Sequence, residues 1–102
     1  MGLFGSKVNS EDLMYSAISL MEKNQPKGAL TLFNRVLKQE PENTAALFNK
    51  GLALNQIKKY SDAITCFDKL LEINPKDDKA HFDRGYAWSR KREIDKAIAD
   101  FT

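Results

Sequence analysis

Shifted by 34 residues, the sequence lies on itself: Leu13 falls on Leu47, Leu20 on Leu54, Ala29 on Ala63, Phe33 on Phe67 and Pro41 on Pro75. A second shift continues the series, placing Phe48 on Phe82, Gly51 on Gly85, Ala63 on Ala97, Ile64 on Ile98 and Phe67 on Phe101. Such a period belongs to a chain built from one supersecondary unit used several times, each copy burying its apolar face against the next. Within each unit, apolar residues recur at helical spacing in two runs separated by a short polar break, which predicts a helix, a turn and a second helix. Six helices follow, near 10–23, 26–39, 44–56, 60–72, 78–90 and 94–102. With 102 residues, 42% apolar and 29% charged, the chain has room for one small folded domain of this kind.

The punctuation agrees with those boundaries. Pro26 stands at the expected start of the second helix, where its missing amide hydrogen has no helical partner to lose. Pro41 and Pro75 follow long helical runs and stop them, and Asn43 with Thr44 supplies a cap for the next helix. Small residues, Ala17, Gly51 and Gly85, sit opposite Ala29, Ala63 and Ala97 of the partner helix, so each pair can approach closely there. Phe33, Phe67 and Phe101 fill the space beside them, and Leu13, Leu47 and His81 close each pair from the other side.

The unit containing Leu47, Gly51, Leu54, Tyr60, Ala63, Phe67 and Pro75 resembles a tetratricopeptide repeat. The first unit is similar through Leu13, Ala17, Leu20, Ala29, Phe33 and Pro41, with Pro26 in place of the usual tyrosine; the third shows Gly85, Trp88, Ile94, Ala97 and Phe101. The resemblance covers about nine-tenths of the chain, as repeats 10–43, 44–77 and 78–102, the last incomplete, after a flexible leader of residues 1–9. It implies an all-α fold: a right-handed solenoid of antiparallel helix pairs, about three repeats with the last truncated. It implies also that the first helix of each pair lines a concave groove that holds a peptide or partner segment, without catalysis.

With the helical phase set by Leu47, Gly51 and Leu54, the groove-facing residues are Phe48, Asn49, Leu52, Asn55 and Gln56 in the second unit. Their equivalents are Met14, Tyr15, Ile18, Met21 and Glu22 in the first, and Phe82, Asp83, Tyr86, Ser89 and Arg90 in the third. Met14 and Ile18, Phe48 and Leu52, then Phe82 and Tyr86 form an apolar ladder, the kind of patch that marks an interaction surface. Asn49, Asn55, Gln56 and Arg90 flank it as hydrogen-bonding groups for a bound segment's backbone. The alternative occupant is the chain itself, because Leu3, Phe4 and Val8 are close enough in sequence to cross the groove.

Tetratricopeptide domains that hold chaperone tails clamp a C-terminal carboxylate with lysines, asparagines and an arginine at set groove places. Asn49 and Lys79 match that pattern. Met14 and Ile18 replace the lysine and asparagine of the first unit, and Asp83 stands where the arginine belongs, so an anionic tail would meet a like charge.

Other chemistry finds little support. Sixteen Lys and Arg against 14 Asp and Glu give a net charge of +2, without the concentrated excess of a nucleic-acid binder. One histidine and one cysteine cannot build a disulfide framework or a Cys/His zinc cage, so no metal and no cofactor is expected. His81 has no second histidine, cysteine or acid at ligand spacing and reads as a partly buried structural residue. Cys66 reads as a half-buried small hydrophobe. The run Arg90, Lys91, Arg92 with Lys96 reads as a solvated turn and helix end. Met1, Gly2 and Ser6 match the N-myristoylation pattern, but one acyl chain with Lys7 as its only basic companion is too weak an anchor to make this a membrane protein. No apolar run spans a bilayer, and a reducing, cytoplasmic setting is expected.

Ile94, Ala97, Ile98 and Phe101 lie on the last predicted helix, with no further helix in the sequence to cover them. Repeat arrays need their ends closed, so either the chain belongs to a longer array or another copy completes the edge. The expected function is therefore a non-enzymatic adaptor or assembly scaffold that binds a partner protein's peptide or helix in its groove. The alternative is a structural module that homo-oligomerises through this open edge.

Overall fold

A computed structural model describes residues 9–102 and, within them, six helices: α1 Ser10–Glu22, α2 Pro26–Gln39, α3 Thr44–Gln56, α4 Tyr60–Ile73, α5 Asp78–Arg90 and α6 Ile94–Phe101. The residues proposed to cross the groove, Leu3, Phe4 and Val8, and the acylation pattern of Met1, Gly2 and Ser6 lie outside the described residues.

The two helices of each pair start differently. Asn9, Asn43 and Asp77 cap α1, α3 and α5, their side-chain oxygens accepting from the backbone N–H of Glu11, Ala46 and Ala80. This satisfies a donor that the helix cannot pair internally. The partner helices α2, α4 and α6 have no side-chain cap and instead follow a tight turn. In each turn one residue, Asn24, Lys58 or Arg92, takes a positive φ of 59°, 66° or 67°. Its N–H and the next residue's bind back to the preceding helix, as in Lys58 to Asn55 O and Lys59 to Leu54 O. This double bond is the motif that usually recruits glycine, and all three turns use a larger residue.

Packing is sequential: α1 on α2, α2 on α3, and so on to α6. Beyond that, α1 touches α3 and α3 touches α5, whereas among the described residues α2, α4 and α6 do not reach one another. A ribbon whose first helices converge and whose second helices splay must curve, with α1, α3 and α5 on the concave side. The core runs through the whole array. Ala17 and Ala29 enclose Phe33, Leu13 and Val36 meet Ala46 across the pair boundary, and Leu47, Leu54, Ala63, Cys66, Phe67, Leu70, Leu71 and Ala80 form the largest cluster.

The third pair is held differently, because its apolar core is thin. Arg84 of α5 binds the Asp100 carboxylate of α6 with Nε at 2.8 Å and Nη2 at 2.6 Å, and reaches Asp68 of α4 with Nη1 at 2.8 Å. His81 places Nδ1 3.3 Å from Asp100 Oδ1 and Nε2 2.8 Å from the Pro75 carbonyl. Both partners are acceptors, so an imidazolium, which donates from both nitrogens, satisfies them together. The Pro75 carbonyl, then Asp100, raise the His81 pKa above its ordinary value. Burial alone would raise the Asp100 carboxyl, yet the bonds from Arg84 and His81 hold it below the usual range. The expectation that no acid stands near His81 is thus corrected: Asp100, 19 residues away, is brought to it by the α5–α6 pairing. A trace of this was in the repeat alignment, where His81 replaces Leu13 and Leu47 while Asp100 replaces Leu32 and Cys66.

Candidate functional site

The concave face carries the ladder residues, but in two different states. Phe48 and Leu52 are half-buried and lean on the main core, with the Phe48 ring 6.0 Å from that of Phe67. Met14 is also half-buried against the first repeat's core. Phe82 and Tyr86, in contrast, are 61% and 42% exposed, and Tyr15 and Ile18 are exposed at the other end. The middle rung is therefore partly floor, and the end rungs offer the free apolar surface.

Two hollows open on this face. One, of about 380 Å³, is lined by Ser10, Glu11, Met14, Tyr15, Ile18, Glu40 and Asn43. There Glu40 accepts from Asn43 Nδ2 and Ser10 Oγ, both at 2.8 Å, and these bonds lower its pKa in that order of importance. The other, of about 260 Å³, lies between α3 and α5 and is lined by Leu52, Asn55, Gln56, Phe82, Asp83 and Tyr86.

The polar residues expected to greet a bound backbone are placed less uniformly than the spacing suggested. Asn49 uses its amide on Ala45 O of its own helix at 2.9 Å. Arg90 is exposed and donates from Nε to the Tyr60 hydroxyl at 3.2 Å, its guanidinium 5.9 Å from the Tyr60 ring centre. Asn55 is corrected outright: it is 7% exposed, set behind the groove floor because α5 packs over it, and its Nδ2 donates to Asp83 O at 3.3 Å. Its Oδ1 is buried with no hydrogen-bond partner among the described residues. Asp83 is half-buried, and burial first, then the charge of Asp77, raise its carboxyl above the ordinary value. Neither feature of Asn55 was legible from spacing, since both depend on what lies across the helix boundary.

At the far edge, Ile94, Ile98 and Phe101 are 55%, 54% and 50% exposed, against 5% for Ile64 and 0% for Phe67 one repeat earlier. Ala97 is corrected: at 2% exposure it belongs to the α5–α6 seam and not to the open edge. The basic turn is largely occupied with its own neighbours. Lys91 donates to Ser61 Oγ at 2.7 Å, Lys91 and Lys96 lie over the Trp88 ring, and Lys96 pairs with Glu93 at 3.4 Å. Cys66 is a buried free thiol whose pKa burial raises, which disfavours the thiolate a nucleophile needs. Among the described residues no three His, Cys, Asp or Glu side chains gather as a metal site requires. No helix there is long and apolar enough to cross a membrane.

Sequence comparison decides the family. The family's sequence model, described as tetratricopeptide repeat, matches residues 16–78 and again 58–102. The chain belongs to the tetratricopeptide repeat family. The fold is accordingly the all-α repeat solenoid of that family, whose members are characteristically non-catalytic protein–protein interaction modules. No curated protein matches the sequence. Among solved structures, the chain is 28% identical to MamA (residues 41 to the end) from Desulfovibrio magneticus RS-1, with a TM-score of 0.86 over 90% of this chain and 52% of that one. It spans about half the length of the MamA structures it matches. The OM64 tetratricopeptide domain of Arabidopsis is 23% identical, with a TM-score of 0.87 over 90% of this chain and 76% of that one. The second such domain of Spaghetti (RPAP3) is 18% identical, with a TM-score of 0.86 over 90% of this chain and 85% of that one. The last two likenesses show the fold alone.

Proposed function

We propose that this tetratricopeptide chain is an adaptor that holds a partner protein's peptide or helix against α1, α3 and α5. The observation that carries the proposal is the exposure of Phe82 and Tyr86, 61% and 42%, on the concave helix of the third pair, beside a hollow that reaches back to Leu52. Large rings left open in a concavity lose unfavourable contact with water when a ligand covers them. The Spaghetti domain of the same fold is bound to the HSP90 peptide SRMEEVD, which supports a peptide as the kind of ligand. An acidic tail of that kind is a poor ligand here, because Asp83 replaces a cation of the clamp. The buried free Cys66 fits a reducing compartment, and the cytoplasm is the proposed location.

Peptides selected from a random library on the wild-type chain test this. Phe82→Glu and Tyr86→Glu should each abolish their binding with helicity unchanged; binding that survives both would remove the groove from consideration. Phe48→Glu is a poorer test, because Phe48 packs on the fully buried Phe67, whereas the ring that Phe82 packs on, Phe101, is half exposed.

A second reading, self-association, has its own observation in the exposed Ile94, Ile98 and Phe101 of α6. An isologous contact between two such faces would cover both at once. Ile98→Asp should then lower the molar mass measured by light scattering; an unchanged mass would dismiss this edge.

A further inference from the structure

The hollow between α3 and α5 is lined by apolar surface and by a carboxylate with no cation beside it, and an unpaired acceptor lies buried behind it. Asn55 Nδ2 faces the Asp83 carbonyl, and only the amide nitrogen can face an acceptor, so the orientation of this amide is set and Oδ1 is the atom left unpaired. Asn55 is 7% exposed, and an orphaned acceptor at that depth carries a desolvation cost that the fold does not recover by itself. Asp83 adds a half-buried carboxylate on the next helix. Among the described residues no cation stands within ion-pair distance of it: Arg84 is engaged with Asp68 and Asp100, and Lys79, one turn earlier, is exposed and makes no ion pair. Leu52, Phe82 and Tyr86 surround the two groups.

We propose that this stretch of the groove takes a peptide carrying an arginine between apolar residues, the guanidinium donating to the Asp83 carboxylate. Arginine fits better than lysine. Its planar fork meets both oxygens of one carboxylate at once, and it can stack on the Phe82 or Tyr86 ring while its apolar neighbours lie along Leu52. The inference rests on the groove reading above and gives it a ligand chemistry opposite to that of an acidic tail.

The test uses three peptides capped at both ends, Ser-Gln-Leu-Leu-X-Leu-Leu-Gln-Ser, with X arginine, neutral isosteric citrulline or norleucine. Each is titrated into the wild-type chain and into Asp83→Asn while the NMR signals of Phe82 and Tyr86 are followed. The expected result is that the arginine peptide binds about tenfold more tightly than the other two. In Asp83→Asn that advantage disappears while the norleucine peptide binds as before. Equal affinities of the three for the wild-type chain, with Phe82 and Tyr86 shifting, would overturn the arginine inference and leave the groove standing. An arginine preference that persists in Asp83→Asn would also overturn it, placing the cation elsewhere. If no peptide shifts Phe82 or Tyr86, the groove reading falls as well.

Discussion

Gly51 and Gly85 occupy equivalent places in consecutive repeats, yet the same substitution should act on them differently. A Cβ at Gly51 would lie 2.5, 2.6 and 3.0 Å from three ring atoms of Phe67, and one at Gly85 would lie 2.5 and 2.9 Å from two ring atoms of Phe101. Replacing a helical glycine by alanine is worth about 0.5 to 1 kcal/mol in backbone entropy, so neither change is unfavourable for the helix itself. The neighbour decides the sign. Phe67 is fully buried among Leu54, Ala63 and Leu70 and has nowhere to turn, so Gly51→Ala should incur an overpacking cost of about 1 to 3 kcal/mol. The net loss is up to about 2.5 kcal/mol, and a central value of about 1 kcal/mol corresponds to a melting temperature lower by about 4 to 8 °C. Phe101 is half exposed and can give way, leaving only the Asp100 Cβ at 3.1 Å as a fixed neighbour, so Gly85→Ala should cost less than Gly51→Ala, about 1 kcal/mol or below. Thermal and urea unfolding followed by far-ultraviolet circular dichroism measure both. The coupling between Gly51→Ala and Phe67→Leu should be favourable by more than about 0.5 kcal/mol, since the smaller side chain makes room for the methyl group. Equal effects of the two alanine variants, or no coupling to Phe67, would refute the reasoning.

The folded-state pKa of His81 is raised above 6.5, so its contribution is complete below that value and is lost as pH rises through the higher folded value. Urea midpoints of the wild-type chain should accordingly fall more steeply than those of His81→Gln as pH rises from 6.5, and parallel curves would exclude the double-acceptor arrangement. Lys58 holds a φ of 66°, and Lys58→Gly should raise stability by about 0.5 to 1 kcal/mol in the same assay, a loss being the contrary result. Asn55→Leu removes a long hydrogen bond together with an orphaned acceptor, so stability should stay within about 1 kcal/mol of wild type. A loss above about 2 kcal/mol on urea unfolding would mean that Asn55 is kept for the fold and not for a ligand.

The features that sequence reading reached are those decided by neighbours along the chain or by equivalent positions one repeat away. Helix limits follow from Asn43 and Asp77 as caps, Pro26 as a first helical residue and Pro41 and Pro75 as stops, and the six helices lie within a residue of their expected bounds. The seam was legible too, because Gly51 against Phe67 and Gly85 against Phe101 recur at one period. The resemblance to the tetratricopeptide family assigned the first helices to the groove, and the phase of the packing residues then left one face of each over for it.

How far each groove residue is exposed was decided only by the tertiary structure. Phe48 and Phe82 are equivalent by position and each packs on the phenylalanine of its partner helix, but Phe67 is sealed within the large central cluster, whereas Phe101 is itself half exposed and Phe82 remains open. Asn55 disappears behind the floor because α5 crosses it, and Ala97 is sealed by its partner helix. The ionic bond set of His81, Arg84, Asp68 and Asp100 joins three helices, so its members are scattered along the chain and meet only when the pairs stack. Local conformation and period depend on residue type at short or repeated spacing. Burial and charge pairing depend on which surface arrives from the next helix, and that is set by packing.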